Sequence, residues 1–189
     1  ASQRGYNQLH VLSADGSGHK VLLAGNGIDY IEPFSWSPDA RWIAAIVQVR
    51  GQTQTRLALI PSSGGEPRHL PVPTKQAIGS IFFSPDGKWL AYSASTVRGA
   101  GMPLYLCSAD AATDTEVKLA DNAYAMGWSP NSSGVLLSRE RSGKRELYLQ
   151  PVAAGKPSGE PKIIYTNSDI GTNSLGVSSQ GTLLYGIGN

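Results

Sequence analysis

A nine-residue pattern built on Ser-Pro-Asp occurs twice in this chain, at 36–44 and at 83–91. In both copies an aromatic residue precedes the serine, and a basic residue, a tryptophan, an aliphatic residue and an alanine follow the turn. Weaker copies begin at Trp128 and Val177, and the first of these has Asn131 in place of aspartate and is aligned with a one-residue insertion. Successive copies begin 47, 45 and 49 residues apart. A period in this range indicates a repeat architecture.

Each repeat predicts four short strands, A to D, and no helix. Strand A ends at the aromatic residue and the serine, and proline with Asp or Asn makes the tight turn into strand B. Strand B is apolar on both faces, as in 42–46 and 89–93, which suits a strand buried between stacked sheets. Strand C alternates as a half-exposed strand does, and strand D is a short polar edge. The pattern therefore predicts an all-β fold, a β-propeller built of four-stranded antiparallel blades.

The phase of the repeats divides the 189 residues into three blades between two half blades. The predicted boundaries are a half blade of strands C and D at 1–23, blades at 24–71, 72–119 and 120–165, and a half blade of strands A and B at 166–189. These sixteen strands form four sheets if the half blades join and close a four-bladed ring. Alternatively the chain is one domain-sized segment of a larger propeller, with open blade edges that invite self-association.

At 83–91 the motif aromatic-Ser-Pro-Asp-Gly-x-x-Ile/Leu-Ala resembles the WD40-like PD40 repeat of TolB-type propellers, and the resemblance covers nearly the whole chain. It implies a bacterial repeat protein outside the cytoplasm, in the periplasm, although a cytoplasmic location stays open. The same repeat occurs in the propellers of tricorn and prolyl-oligopeptidase-like proteases. Those proteases carry their catalytic Ser-His-Asp groups on a separate hydrolase domain, and nothing of that domain is recognisable here. We therefore expect no enzymatic activity.

Composition and motifs argue against several other functions. The net charge of +2 is too small to indicate nucleic-acid binding. No apolar run approaches the roughly 18 residues of a membrane span, so no membrane insertion is expected. Phosphate-binding and dinucleotide motifs are absent from the sequence, so no cofactor is predicted. His10, His19 and His69 lack acidic or cysteine partners at ligand spacing, so no metal site is predicted either.

Two sets of repeat-equivalent residues are expected to be structural. Asp39 and Asp86 should each cap their own turn by accepting backbone hydrogen bonds. The four tryptophans should be buried between blades rather than stack on a ligand, and replacing those of strand B by alanine should carry the cost of emptying a core site. They are Trp36, Trp42, Trp89 and Trp128.

Arginine recurs beside glycine in the predicted B–C loops, at Arg4, Arg50 and Arg98 and again at 141–143, with Arg145 following. Because strand direction alternates, the B–C and D–A loops emerge on one face. Arginine and tyrosine are favoured at interaction hot spots. The candidate binding residues are Arg50, Arg98, Tyr124 and Arg145, with Tyr30 and Asn173 at the central mouth. In the alternative, the arginines are solvent-exposed turn residues offset by acidic neighbours on the same face.

The sequence thus predicts a non-catalytic β-propeller scaffold that binds a protein or peptide and is part of a larger bacterial protein. An acidic partner is expected, because arginine can hold a carboxylate with two hydrogen bonds. Two alternatives stay open. One is the substrate-gating propeller of a prolyl-oligopeptidase-like or tricorn-like hydrolase, and the other is a glycan-binding propeller.

Overall fold

The computed structural model describes residues 8–24, 27–73, 77–95, 102–110, 116–167 and 170–187, and within these ranges it is all-β. The N-terminal half blade consists of β1 (Gln8–Val11) and β2 (Lys20–Ala24). The first blade contains β3 (Ile28–Trp36), β4 (Trp42–Val49), β5 (Arg56–Pro61) and β6 (Arg68–His69). The second contains β7 (Ala77–Phe83), β8 (Trp89–Ser95), β9 (Leu104–Ser108) and β10 (Val117–Ala120).

The third blade contains β11 (Ala123–Trp128), β12 (Gly134–Arg141), β13 (Lys144–Ala153), β14 (Lys156–Pro157) and β15 (Lys162–Asn167). The C-terminal half blade consists of β16 (Ile170–Val177) and β17 (Leu183–Ile187). All pairings are antiparallel, and the strands of the first two blades are hydrogen-bonded in chain order. The described ranges contain no helix that could cross a bilayer.

Two details of the predicted strand arrangement are wrong. The described residues form seventeen strands, because Ala154 and Gly155 both have positive φ, 48° and 72°, and fold the chain back on the end of β13 as the two-residue strand β14. Within the described ranges the sheets number five rather than four, because the half blades are hydrogen-bonded as two separate two-stranded sheets. The order of a C–D half blade, three blades and an A–B half blade is otherwise as predicted.

The core lies between sheets. Four apolar clusters are present, and each joins two successive sheets. In β4, Ile43 and Ala45 pack towards the N-terminal half blade, whereas Ala44 and Ile46 pack towards the second blade. The prediction of a strand B that is apolar on both faces is therefore confirmed. The first strands of successive sheets contact one another, β3 with β7, β7 with β11 and β11 with β16, as the inner strands of a propeller do.

The serine of the repeated motif fixes the turn between the first two strands of each sheet that follows the N-terminal half blade. The Ser37 N–H donates to the Trp42 carbonyl at 2.8 Å, and the Trp42 N–H donates to Ser37 Oγ at 2.9 Å. The same reciprocal contacts join Ser84 with Trp89, Ser129 with Gly134 and Ser178 with Thr182. The third copy therefore has no insertion, contrary to expectation, since Gly134 takes the position of the tryptophan.

Asp39 and Asp86 cap their turns as predicted. Asp39 Oδ1 accepts from the Ser37 hydroxyl at 2.6 Å and from the Arg41 N–H at 3.1 Å, and Asp86 makes the equivalent contacts in the second blade. The Ser37 hydroxyl, followed by the backbone and side chain of Arg41, lowers the pKa of Asp39 to about 2. The carboxylate form is thus the one that this turn favours.

The tryptophans pack between blades to different extents. Trp128 is 3% exposed, and its indole N–H donates to the Phe82 carbonyl in the preceding blade at 3.0 Å. Trp42 and Trp89 are half-buried and pack against the clusters between successive sheets, so their expected packing between blades is confirmed. Trp36 is 50% exposed, because the sheet that precedes it among the described residues has no first strand on which the indole could dock. Its predicted burial is wrong for that reason.

We predict that the free energy of unfolding follows this order of burial. Trp128→Ala should lose about 3–5 kcal/mol, the cost of emptying a large aromatic site. Trp36→Ala should lose about 1 kcal/mol or less, since most surface changes are small. Urea unfolding followed by far-UV circular dichroism measures both values. Equal losses in the two variants would contradict the assignment.

The turn of Asp39 predicts a pH dependence. A carboxylate whose pKa is lowered by folding stabilises the native state above its unfolded pKa of about 3.9, and this contribution is lost as the pH falls through the folded value. Wild type should therefore be more stable than Asp39→Asn at pH 6, and the difference should shrink between pH 4 and pH 2. The measurement is urea unfolding of both proteins across this range. A difference that stays constant from pH 6 to pH 2 would show that the charge of Asp39 plays no part.

Candidate functional site

A hollow opens on the face that carries the B–C and D–A loops. Its volume is about 370 Å³, and it lies where the loops of the second and third blades meet. The lining residues come from both blades and are Met102, Asn122, Tyr124, Glu140, Ser142 and Arg145. Two of the predicted binding residues, Tyr124 and Arg145, thus share one concave site.

The strands of the third blade set the positions of these side chains. Tyr124 lies near the start of β11, and Glu140 and Arg145 are directly opposite each other in the β12–β13 hairpin. Ser142 in the hairpin turn and Asn122 in the D–A loop both adopt positive φ, 51° and 47°. Such left-handed positions let the chain reverse tightly, so both loops stay short beside the hollow.

Arg145 is the most constrained charged side chain of the hollow. Its side chain is 18% exposed, and its guanidinium carbon lies 5.9 Å from the centre of the Tyr124 ring, within cation–π range. The Glu140 carboxylate is 3.7 Å from Arg145 Nη2, and the Glu140 side chain is 66% exposed. This separation allows an ion pair but exceeds an ordinary hydrogen bond. The guanidinium is therefore held by the ring while its carboxylate neighbour is mostly exposed to solvent.

The backbone of the second blade closes one wall. The Ala123 N–H, at the start of β11, donates to the Met102 carbonyl at 2.9 Å. This bond ties the loop before β9 to the first strand of the third blade. Sequence reasoning did not select Met102. Its place directly before strand C, beside the predicted Arg98-Gly99 loop, was the signal that could have found it.

The other predicted residues lie elsewhere. Arg50 Nε donates to Asp29 Oδ1 at 3.0 Å in the first blade, where both side chains are exposed. The Tyr30 hydroxyl donates to Glu32, and burial followed by this carboxylate raises the Tyr30 pKa. Tyr30 packs at the margin of the core between the first two blades, so its hydroxyl is directed at its own strand. The structure therefore groups neither Arg50 nor Tyr30 with the residues that line the hollow.

Two predicted residues are not described at the side-chain level. Arg98 lies outside the described residues. Asn173 lies in β16, but its side chain is outside the described part of the chain. Their membership of the binding face stays a prediction.

A second concave region lies on the opposite face, between the Ser-Pro-Asp turns of the first two blades. This groove of about 530 Å³ is lined in part by Trp42, Trp89, Asp39 and Asp86. The guanidinium of Arg68 lies 5.1 Å from the centre of the Trp42 ring. The groove was not predicted, although the recurrence of a basic residue before each strand-B tryptophan pointed to it. The carboxylates of Asp39 and Asp86 already cap their turns, so these groove residues have a structural role.

Comparison with known proteins shows the fold. No family model matches the chain, and a search of curated proteins found no match. The structure is similar to TolB from Acinetobacter baumannii, with TM-score 0.65, 21% identity and 92% of this chain covered. It is also similar to a putative dipeptidyl aminopeptidase IV from Bacteroides ovatus, with TM-score 0.63, 20% identity and 93% covered. A third similar structure is an oligogalacturonate lyase from Vibrio parahaemolyticus, with TM-score 0.61, 17% identity and 78% covered.

The chain has the β-propeller fold, as the sequence predicted, and the proteins with similar structures include TolB. It spans 41% of the TolB chain, 28% of the aminopeptidase chain and 42% of the lyase chain. The functions of those longer proteins therefore do not transfer to it directly.

Proposed function

We propose that this chain is a non-catalytic propeller scaffold that binds an acidic segment of a protein or peptide at the hollow of the third blade. The observation that carries the proposal is the guanidinium of Arg145, which is fixed against Tyr124 at the mouth of a concave site. The proposal includes no cofactor, no nucleic acid and no membrane insertion. It keeps the bacterial, periplasmic location that the sequence resemblance implies.

The hollow can attract the carboxylate of a ligand by hydrogen bonds as well as by positive charge. Arginine presents a planar fork of five N–H donors that matches the two oxygens of a carboxylate. Among the described residues Arg145 contacts the Tyr124 ring and lies near the carboxylate of Glu140, and these neighbours leave the fork available. Since Arg145 is largely buried, little side-chain freedom would be lost on binding.

Glu140 is the internal competitor for Arg145. A ligand carboxylate entering the hollow would meet the negative charge of Glu140, which is mostly exposed and can rotate into solvent. Because Glu140 does not hydrogen-bond Arg145 in the structure, its displacement costs little. Glu140 would then weaken acidic ligands without preventing their binding.

Arg50 is a candidate for a second contact with an extended ligand. Its recorded hydrogen bond runs from Nε to Asp29, and one such bond uses one of the five guanidinium donors. Its two terminal nitrogens can therefore still reach a carboxylate. A ligand that contacts both arginines would have to cross the face from the first blade to the third.

Two other functions are supported by specific neighbours. The similarity to the putative dipeptidyl aminopeptidase IV favours a hydrolase propeller that gates peptides. The similarity to an oligogalacturonate lyase favours an acidic glycan as the carboxylate-bearing ligand. An acidic oligosaccharide therefore belongs in any binding test beside the acidic peptides.

We predict opposite effects for the two charged residues of the hollow. The probes are an array of Asp- and Glu-containing peptides, each beside its Asn or Gln counterpart, and an oligogalacturonate. Wild type should prefer the acidic peptides. Arg145→Gln should weaken binding by about 10- to 100-fold, the range of a hydrogen bond to a charged group, and Glu140→Gln should strengthen it. Fluorescence anisotropy with the best peptide measures the affinities.

The matched control is Arg41→Gln, which removes an exposed arginine paired with Asp39 on the opposite face and should leave the affinity unchanged. Arg50→Gln tests the second contact. Equal binding of acidic and amide peptides, or wild-type affinity in Arg145→Gln, would overturn the proposal. Binding of oligogalacturonate and of none of the peptides would instead support a glycan-binding function for the hollow.

A further inference from the structure

The N-terminal hairpin brings together two histidines that the sequence separates by nine positions. His10 lies in β1 opposite Val21 of β2, and His19 lies two residues before Val21. His19 directly precedes the first residue of β2, and the contact between the two imidazoles spans the hairpin. His10 Nδ1 and His19 Nε2 are 2.9 Å apart, and both side chains are exposed.

The two rings meet edge to edge. Their planes differ by 16° and their centres are 5.1 Å apart. The facing nitrogens are therefore much closer than the ring centres, which a face-to-face stack would not give. This geometry places one N–H and one lone pair on the line between the two rings.

Gln8 decides which nitrogen of His10 carries the proton. Gln8 Oε1 lies 3.0 Å from His10 Nε2. A carboxamide oxygen only accepts, so it holds the proton on Nε2 and leaves the lone pair on Nδ1. His19 then donates its Nε2–H to that lone pair. An acceptor on the distal nitrogen is the arrangement that orients histidines which ligate metals.

We propose that His10 and His19 form a binding site for a divalent transition-metal ion, which is bound by the two nitrogens that now share a proton. The ligands are His10 Nδ1 and His19 Nε2, and Gln8 is the positioning residue of His10. On metal binding the proton leaves His19 Nε2 for solvent and His19 takes one up on Nδ1, so both imidazoles stay neutral. Water completes the coordination, since the described residues hold no group of three or more His, Cys, Asp or Glu side chains suited to a metal.

The chemistry of the ligands indicates which ions bind. Imidazole suits copper, nickel and zinc, and copper(II) binds nitrogen ligands most tightly among these ions. Metal–nitrogen bonds of about 2.0–2.1 Å to two neighbouring corners of a square-planar copper(II) ion place the nitrogens about 2.9 Å apart, which is their present separation. Both rings must turn so that their lone pairs converge on the ion. The exposed hairpin permits this movement. A bound ion would cross-link β1 to the residue directly before β2, at the end of a sheet that has only two strands among the described residues.

The experiment is a titration of the metal-free chain with copper(II) chloride, in competition with a chromophoric chelator. We expect one tight ion per chain and electron paramagnetic resonance showing nitrogen ligands. His10→Gln and His19→Gln should each abolish this site. Gln8→Ala should weaken it by about 10- to 100-fold, as loss of such a positioning contact does. His69→Gln is the matched control, since His69 lies in β6 of the first blade, and should bind as wild type.

Unchanged copper affinity in His10→Gln and His19→Gln would overturn the proposal, as would the lack of one stoichiometric ion in wild type. Circular dichroism shows whether each variant folds. If a variant does not fold, nitrogen-15 NMR spectra of the imidazoles of the wild-type protein, titrated with zinc chloride, test the site instead. Shifts confined to His10 and His19 support the site, and shifts at His69 instead reject it.

Discussion

Every sheet of this chain depends on its neighbours, because the second strand of each blade is apolar on both faces. In β4 alternate residues enter the two clusters on either side of the first blade. No blade therefore has a core of its own, and stability is a sum of contacts between nearest neighbours, as in other repeat proteins. The same dependence explains the exposure of Trp36, which repeats the chemistry of Trp128 but has, among the described residues, no first strand of a preceding sheet on which to dock.

The serine turn keeps these faces in register. A shift of one residue would turn every side chain of a strand to the opposite face. The reciprocal bonds between Ser37 and Trp42 prevent this shift, and the same bonds recur where proline and aspartate are missing, at Ser178. The aspartate adds a cap to a turn that the serine already defines. Gly155 shows how closely the blades then fit, since a Cβ there would come within 2.1 Å of the Trp89 ring.

The periodicity of the sequence correctly predicted those features of the structure that are set by the order and direction of the strands. The propeller fold, the two-sided strand B and the shared face of Tyr124 and Arg145 all follow from the alternation of strand direction. It did not predict contacts that depend on individual side chains. Arg50 is held by Asp29 and Tyr30 by Glu32, and neither pairing is encoded in the repeat. The contact between His10 and His19 was not predicted either, because it arises from the register of one hairpin rather than from the spacing of the two residues in the sequence.

The hollow of the third blade shows how such a scaffold can acquire a binding site without losing stability. Its floor is set by strands whose apolar side chains pack between sheets, whereas Ser142 and Asn122 lie in loops outside that core. Substitutions in these loops leave the inter-sheet clusters untouched, so ligand preference can change while the fold stays fixed. Arg145 belongs to both parts, since its backbone pairs within the sheet and its guanidinium faces the hollow. The sheet thereby restricts the position of the Arg145 guanidinium, which is the group that would contact a ligand.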